Sequence, residues 1–460
     1  MRYPKTVLIL VLICLSARLL FFVLVKPWEP TVRDQVILKE DAVGYHQLAV
    51  SIVQDQRFAS KKGGSPDTLR TPLYPLLISL IYSIWGSEST WRVLLVQILI
   101  DTGSCILLFF LILKFFTVKV AVYASIFYAL DHFLILYSTT LLSDVLFVFL
   151  CLVAAFWFSE AIHRGFDRST LYILLSAFFF GLATLVRPVA QYIPLIIILF
   201  LLAVLRKELK KACKLALLFL FFFIITLSPW LIRNLSTFGV LSLSTVGPYN
   251  LMVLYVGPME TEKRGQPLEE AQEAMMQEVD RLIIQEGRNP VVMNAFQKAK
   301  YWEKFAFQYI AKHPIAFSKH YMLGIIHAFA NLGTGPYGDL LQLPKKEAKF
   351  EIKAIPNIFE LLKTWFNQKT FQEIEIGFFI ASYLLVTYFL LIIGLIVSWW
   401  KDRKNTFLLF CLMMALYFLL ITGTAGLARF KMPAVPFYLV FVGIGLSYVF
   451  REKIVRQERR

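Results

Sequence analysis

The chain is 460 residues long, 58% hydrophobic and only 17% charged, with 42 phenylalanines and a net charge of +16. That charged fraction lies well below the quarter usual in soluble domains, and the apolar runs approach the ~20 residues needed to cross hydrocarbon. A soluble globular protein is excluded; the class is an all-α polytopic membrane protein. The basic residues collect in short loops between apolar runs, as the positive-inside rule requires, so nucleic acid is excluded as the partner that the charge serves. Cys14, Cys105, Cys151, Cys213 and Cys411 sit in or beside apolar runs and offer neither a disulfide framework nor metal-ligand spacing.

The first run, about 6–25, is long for a signal-peptide core, holds Arg18 and lacks a small-x-small cleavage site, so it reads as a retained anchor. An outer loop, 26–92, follows. In it Lys39-Glu40-Asp41-Ala42-Val43-Gly44-Tyr45 sets two adjacent carboxylates before a short amphipathic helix. Tyr45, Leu48, Ala49, Ile52 and Val53 form that helix's apolar stripe at i, i+3, i+4, i+7 spacing, which lies in the membrane interface rather than crossing it. By themselves, Glu40 and Asp41 read as acids capping the helix start.

Further runs lie at about 93–113, 118–137, 141–160, 169–186, 188–205, 215–234, 375–398, 406–424 and 432–450. Basic residues at Lys114/Lys119, Arg164/Arg168, 206–214, 401–404 and the tail (Arg451, Lys453, Arg456, Arg459, Arg460) all fall on one side if ten runs span and both termini are cytoplasmic. Parity then makes 71–86, opened by Pro72 and bent by Pro75, a re-entrant or interfacial helix. Segment 314–332, with His320 and His327, is treated alike. The division is therefore 1–234, a transmembrane module containing the 26–92 loop; 235–374, an outer cap; and 375–460, the C-terminal helices with a basic tail. In the cap, helices are expected near 267–286 and 291–312, with Tyr301, Trp302, Phe305 and Tyr309 on one face.

Ionisable groups in or at the ends of spans are costly and mark functional candidates. On this topology Asp41, Arg70, Asp131-His132, Asp144, Arg187, Arg233, Arg429 and Lys431 all fall on the outer side. Asp101, deep in a span, reads as an interhelical hydrogen-bonder, Arg18 as a snorkelling or paired residue, and His132 as packing. His46 is close to Asp41 in sequence, though a solvated helix face explains it equally well. Arginine forks suit phosphate; a carboxylate opposite can deprotonate an acceptor or, in the case of Asp41 and Asp144, hold a divalent metal ion. The parts add up to an anionic lipid-linked donor and an acceptor to be activated.

Several motifs in order carry a family resemblance: Asp41-Ala-Val-Gly-Tyr45, Leu69-Arg-Thr-Pro-Leu-Tyr-Pro75, Tyr137-Ser138 with Leu141-Leu-Ser-Asp-Val-Leu-Phe147, and Gly181-Leu-Ala-Thr-Leu-Val-Arg-Pro188. Ser228-Pro-Trp-Leu-Ile-Arg-Asn234 with Phe238-Gly239, Gly247-Pro-Tyr-Asn250, and Arg429-Phe-Lys-Met-Pro433 with Pro436 complete the series. The pattern resembles the GT-C superfamily of polyprenyl-phosphate-sugar glycosyltransferases, and within it family 39, the protein O-mannosyltransferases and lipid A aminoarabinose transferases.

The resemblance implies a GT-C-type bundle of about 10–13 transmembrane helices with two large extracytoplasmic loops and interfacial helices. It implies an inverting transfer of sugar from a polyprenyl-phosphate carrier to a lipid, glycan or protein acceptor on the outer face, in a bacterial inner membrane. Asp41 would be the base, with Glu40 able to share the role because the family's own pair is Asp-Glu. Asp144 would position the donor or a metal, Arg70 and Arg233 the carrier phosphate, and Arg187 the sugar; Asn250 and Arg429 complete the substrate-binding set. The competing reading is a transporter or flippase of a lipid-linked or anionic solute, which requires charged groups to continue through the bundle; only Asp101 lies deep in a span, and no inverted pair of broken helices is visible.

Overall fold

The computed structural model describes residues 3–60, 63–87, 89–344, 369–421 and 423–455. In hydrocarbon every backbone N–H and C=O must be satisfied within its own segment, which leaves helices as the answer to long Leu/Phe/Ile/Val runs. Among the described residues only one isolated β-bridge, between Phe116 and Val455, departs from helix and loop.

In chain order the helices are α1 (Pro4–Val25), α2 (Asp41–Asp55), α3 (Leu73–Trp85), α4 (Thr90–Leu113), α5 (Val118–Leu130), α6 (His132–Ser138), α7 (Asp144–Arg164), α8 (Thr170–Val186), α9 (Ile193–Val204) and α10 (Leu209–Phe238). The cap contributes α11 (Val246–Asn250), α12 (Gly257–Arg264), α13 (Leu268–Gln285), α14 (Ala295–Lys312), α15 (Pro314–Ala330) and α16 (Thr334–Leu340). The chain closes with α17 (Phe371–Asp402), α18 (Thr406–Leu420) and α19 (Val435–Val449). Among the described residues six helices are long and apolar enough to cross a membrane, or seven if the bent pair α5–α6 counts as one span.

That is fewer than the ten spans read from the sequence. Helices stand at all ten places, but α8, α9 and α18 are shorter, because breaks intrude at their ends. Arg187 precedes Pro188 and is driven to extended backbone (φ −142°, ψ 118°), ending α8. Between α5 and α6 the axis turns by 52° at Asp131. Asp131 caps α6, its Oδ1 accepting from the backbone N–H groups of Phe133 and Leu134, both at 3.0 Å.

The broken helix is clasped from outside by Arg18. Its guanidinium donates to Ala129 O (2.5 Å) and, through Nε, to Asp101 Oδ2 (2.6 Å), while Tyr128 Oη donates to Asp101 Oδ1 (2.6 Å). Arg18 and Asp101 are both fully buried. The pairing expected of each is therefore found, and they are each other's partner. His132 is buried beside Phe133 and Tyr383, as packing predicts. Gly394 and Gly445 bring α17 and α19 so close that a Cβ on Gly394 would strike the Phe441 carbonyl oxygen and one on Gly445 that of Leu390.

The basic loops do share one end of the bundle. Lys119 pairs with Glu452 (2.6 Å), Lys114 with Glu160 (2.7 Å) and Lys211 with Asp167 (2.6 Å), and Lys401 lies over Tyr448. Arg456, Arg459 and Arg460, and residues 345–368 of the cap, lie outside the described residues. The cap has its own small core of Met252, Val253, Val256, Met275, Val279, Ile283, Tyr301, Phe305 and Ala306, with Trp302 and Tyr309 packed on it. The predicted aromatic face of α14 thus has a partner.

The cap also grips the loop leading to Arg429. Tyr255 Oη donates to Ile421 O (2.6 Å), Thr424 Oγ1 to Leu254 O (2.7 Å), and Tyr321 Oη to Leu420 O. Gly423 (φ +55°) and Gly426 (φ +60°) supply the left-handed turns that this loop needs.

Candidate functional site

α2 starts at Asp41. Glu40, at the cap position, makes no side-chain cap hydrogen bond, while Asp41 is the acid of the first turn, where the helix dipole favours it. The Glu40 backbone has φ +47° and ψ −120°, a region costing a non-glycine residue roughly 1–3 kcal/mol and held only where surrounding structure insists on it. The result turns Asp41 toward Arg70. The apolar stripe of α2 is also rotated from expectation: Ala42, Leu48, Ala49 and Ser51 are buried, and Val53 is exposed.

Arg70 donates from Nη2 to Asp41 Oδ1 (3.2 Å) and to the Asp41 carbonyl (3.3 Å). Three features aim it there. Asp67 Oδ1 accepts from the backbone N–H groups of Leu69 (3.0 Å) and Arg70 (2.8 Å), fixing the turn. The Tyr45 ring lies 4.8 Å from the guanidinium carbon. Gly44 leaves room: a Cβ there would stand 2.5 Å from that carbon.

Asp144, first residue of α7, is fully buried, while Asp41 is 57% exposed. Arg187, thrown sideways by its pre-proline geometry, donates to Asp144 Oδ1. Arg429, from the short 3-10 turn Ala428–Ala434, grips Oδ2 through Nε (2.8 Å) and Nη2 (2.7 Å). The remaining Nη1 of Arg429 stands 3.7 Å from Asp41 Oδ2. The site is thus an unbroken line, Arg70–Asp41–Arg429–Asp144–Arg187, with one positive charge in excess. Aromatic rings flank it: Phe147 and Phe430 beside Arg187, and Tyr137 beside Arg429. Tyr45 Oη lies 3.2 Å from Ser143 Oγ, tying the Asp41 half to the Asp144 half.

Five of the eight expected site residues therefore meet, from segments as distant as residues 41 and 429. Glu40 is exposed and makes no ion pair among the described residues. Arg233 stands apart: it donates to Asp67 O (3.3 Å) and Asn234 Oδ1 (2.7 Å), with its guanidinium among Trp230, Phe58 and Phe238. It touches the site only through the Asp67 turn. Asn250 ends α11 without a side-chain hydrogen bond to the cluster. His46 is half-buried and lies outside the charge line. It bonds Tyr82 Oη at 2.9 Å, and burial, with Arg33 adding to it, pulls its imidazole below the ordinary value. Sequence reading missed Asp67, Gly44 and the ring of Tyr45. Ser65-Pro66-Asp67-Thr68 was a legible Asx-turn signal, and a glycine inside a helix, unfavourable by about 1 kcal/mol, signals close approach.

The residues do not suit a divalent ion. A metal site needs several oxygen donors free to turn on it, whereas both oxygens of Asp144 are taken by Arg187 and Arg429, which leaves Asp41 without a second carboxylate to share an ion. Among the described residues no three His, Cys, Asp or Glu side chains gather as ligands.

This fold is shared with solved oligosaccharyltransferases. The oligosaccharyltransferase of Archaeoglobus fulgidus in its apo form shares it with TM-score 0.56 at 16% identity, over 98% of this chain and 51% of that one. The archaeal oligosaccharyltransferase AglB from the same organism, in complex with an inhibitory peptide and a dolichol-phosphate, gives TM-score 0.51 at 15% identity, over 95% and 50% of the two chains. ArnT from Cupriavidus metallidurans in the apo state gives 0.41 at 12% identity, over 97% and 78%. The chain spans about half the length of the oligosaccharyltransferases. Residues 69–232 match the family model of dolichyl-phosphate-mannose-protein mannosyltransferase, a stretch that contains Arg70, Asp144 and Arg187. No curated protein matches the sequence.

Proposed function

We propose that the protein is a membrane glycosyltransferase that moves a sugar from a polyprenyl-phosphate carrier to an acceptor hydroxyl or amine, with inversion at the anomeric carbon. The observation that carries this reading is the charge line: a half-exposed carboxylate, Asp41, set among arginines at the rim of a lipid-embedded bundle. The acceptor's lone pair forms the new bond to the anomeric carbon as the bond to the phosphate oxygen breaks. The electron pair leaves on the phosphate, and the acceptor's proton passes to Asp41. One displacement gives inversion. Polyprenyl phosphate is ionised at neutral pH, so its departure needs charge stabilisation rather than a proton, and Arg70 and Arg429 are placed to give it. Asp144 holds Arg187 and Arg429 in position, with Arg187 turned toward the sugar.

The positive-inside rule supports a cytoplasmic basic end, and with it a charge line and cap on the extracytoplasmic face. A bacterial inner membrane with undecaprenyl-phosphate sugars suits this arrangement. A transport path is not favoured, because Asp101, the acid read deep in a span, is fully engaged by Arg18 and Tyr128. The test is transfer of labelled sugar from polyprenyl phosphate by the purified protein. Asp41→Asn is expected to lower the rate by about 10²–10⁴, the usual contribution of a positioned base, with the unfolding temperature unchanged. Near-normal turnover by that variant would remove Asp41 from the chemistry, and an α-linked product from an α-linked donor would remove inversion.

A further inference from the structure

Asp144 uses Arg187 and one edge of Arg429. What remains unclaimed by Asp144 is Nη2 of Arg70 and Nη1 of Arg429, and these two donors converge on a single anion. That anion is the carboxylate of Asp41, which gives one oxygen to each, at 3.2 and 3.7 Å. The arrangement is loose at Arg429, and Asp41 is more than half exposed. A phosphate offers the same two arginines oxygens with better reach and shape, since guanidinium forks pair with phosphate bidentately.

We infer that the Arg70–Arg429 pair is a phosphoryl seat for which the Asp41 carboxylate competes, so that a carrier phosphate entering it releases Asp41 to act on the acceptor. The inference rests on the glycosyltransferase reading above. With the seat empty, Oδ1 of Asp41 accepts from Arg70 and Oδ2 faces Arg429 at 3.7 Å, so the carboxylate is drawn toward the arginines. Seating the donor phosphate is what frees it. The base is therefore available only when there is a donor to react with, and donor binds before acceptor. The strained backbone of Glu40 (φ +47°) stands directly before Asp41.

The experiment is equilibrium binding of undecaprenyl phosphate, and in parallel of inorganic phosphate, to the full-length purified protein. Wild type is compared with Asp41→Asn, Asp41→Ala and Arg70→Ala, each checked by thermal unfolding. Removing an exposed competing carboxylate is expected to tighten undecaprenyl phosphate binding ~5-fold in both Asp41 variants, the upper end for an exposed ion pair. Arg70→Ala is expected to weaken it ~10-fold or more. Unchanged or weaker binding in both Asp41 variants, with Arg70→Ala still weakened, overturns the competition and leaves the glycosyltransferase reading standing. Unchanged binding in Arg70→Ala overturns the phosphate assignment itself. A gain confined to inorganic phosphate overturns the lipid-carrier form of the seat.

Discussion

Two ionic clusters in this molecule use the same residue types to opposite ends. Arg18 and Asp101 are both fully buried, and the guanidinium and carboxylate find their partners within the bundle. The site line begins in the same way at Asp144, also fully buried, but runs outward to an Asp41 that is 57% exposed. A closed pair locks helices together and has no contact left to offer. An open line keeps one end fixed and leaves the other able to exchange partners. Burial gradient, rather than the presence of Asp and Arg, separates the closed cluster from the open one.

That contrast can be broken by substitution. Asp101→Ala strands Arg18 in the bundle and is expected to destabilise by ~3–5 kcal/mol, read as a fall in unfolding temperature in detergent. The double replacement Arg18→Met with Asp101→Leu should recover most of the loss. Asp144→Ala is expected to cost less than Asp101→Ala, because Arg187 and Arg429 retain 19% and 17% exposure and Arg429 keeps Asp41 as a partner. An equal cost for the two would erase the distinction. Gly44→Ala drives the Arg70 guanidinium from its place and should raise the KM for donor several-fold while leaving stability nearly unchanged, since the far end of a flexible side chain is what must move. The smallest effect belongs to the cap. Lys319 and His320 hold the Glu262 carboxylate below its ordinary range. A depressed acid contributes stability above the ordinary glutamate range and loses it as pH falls through its folded value. The Glu262→Gln variant should therefore lose the acid-side part of the pH dependence of α15 protection in hydrogen exchange.

Much of this was legible in the sequence because membrane helices are specified by local composition. All ten apolar runs became helices, and the cap helices began within a few residues of where their periodicity placed them. The span lengths were less legible: α8 and α5 end at Arg187 and Asp131 because a pre-proline residue and a side-chain cap stop them, and window hydropathy sees neither. In the site, Asp41, Arg70, Asp144, Arg187 and Arg429 could be nominated because charge at span ends is costly and all fell on one side. Their order along the line could not, since it depends on the strained turn at Glu40 and the space left by Gly44. Arg233 shows the limit of the same logic. It lies at the right end of the bundle, but its guanidinium finds three aromatic rings and a carbonyl before it can reach the charge line.

The gripping of Asp144 from two sides has a consequence for how the protein is made. Asp144 and Arg187 emerge from synthesis close together and can pair as soon as α7 and α8 are inserted. Arg429 arrives only after the cap and α17–α18 have been synthesised, on the loop that the cap holds in the finished fold. Until then the buried carboxylate lacks half of its countercharge and Arg70 has Asp41 to itself. The charge line is therefore among the last things this chain completes, and an interrupted or misinserted copy carries the acids without the arginine that joins them.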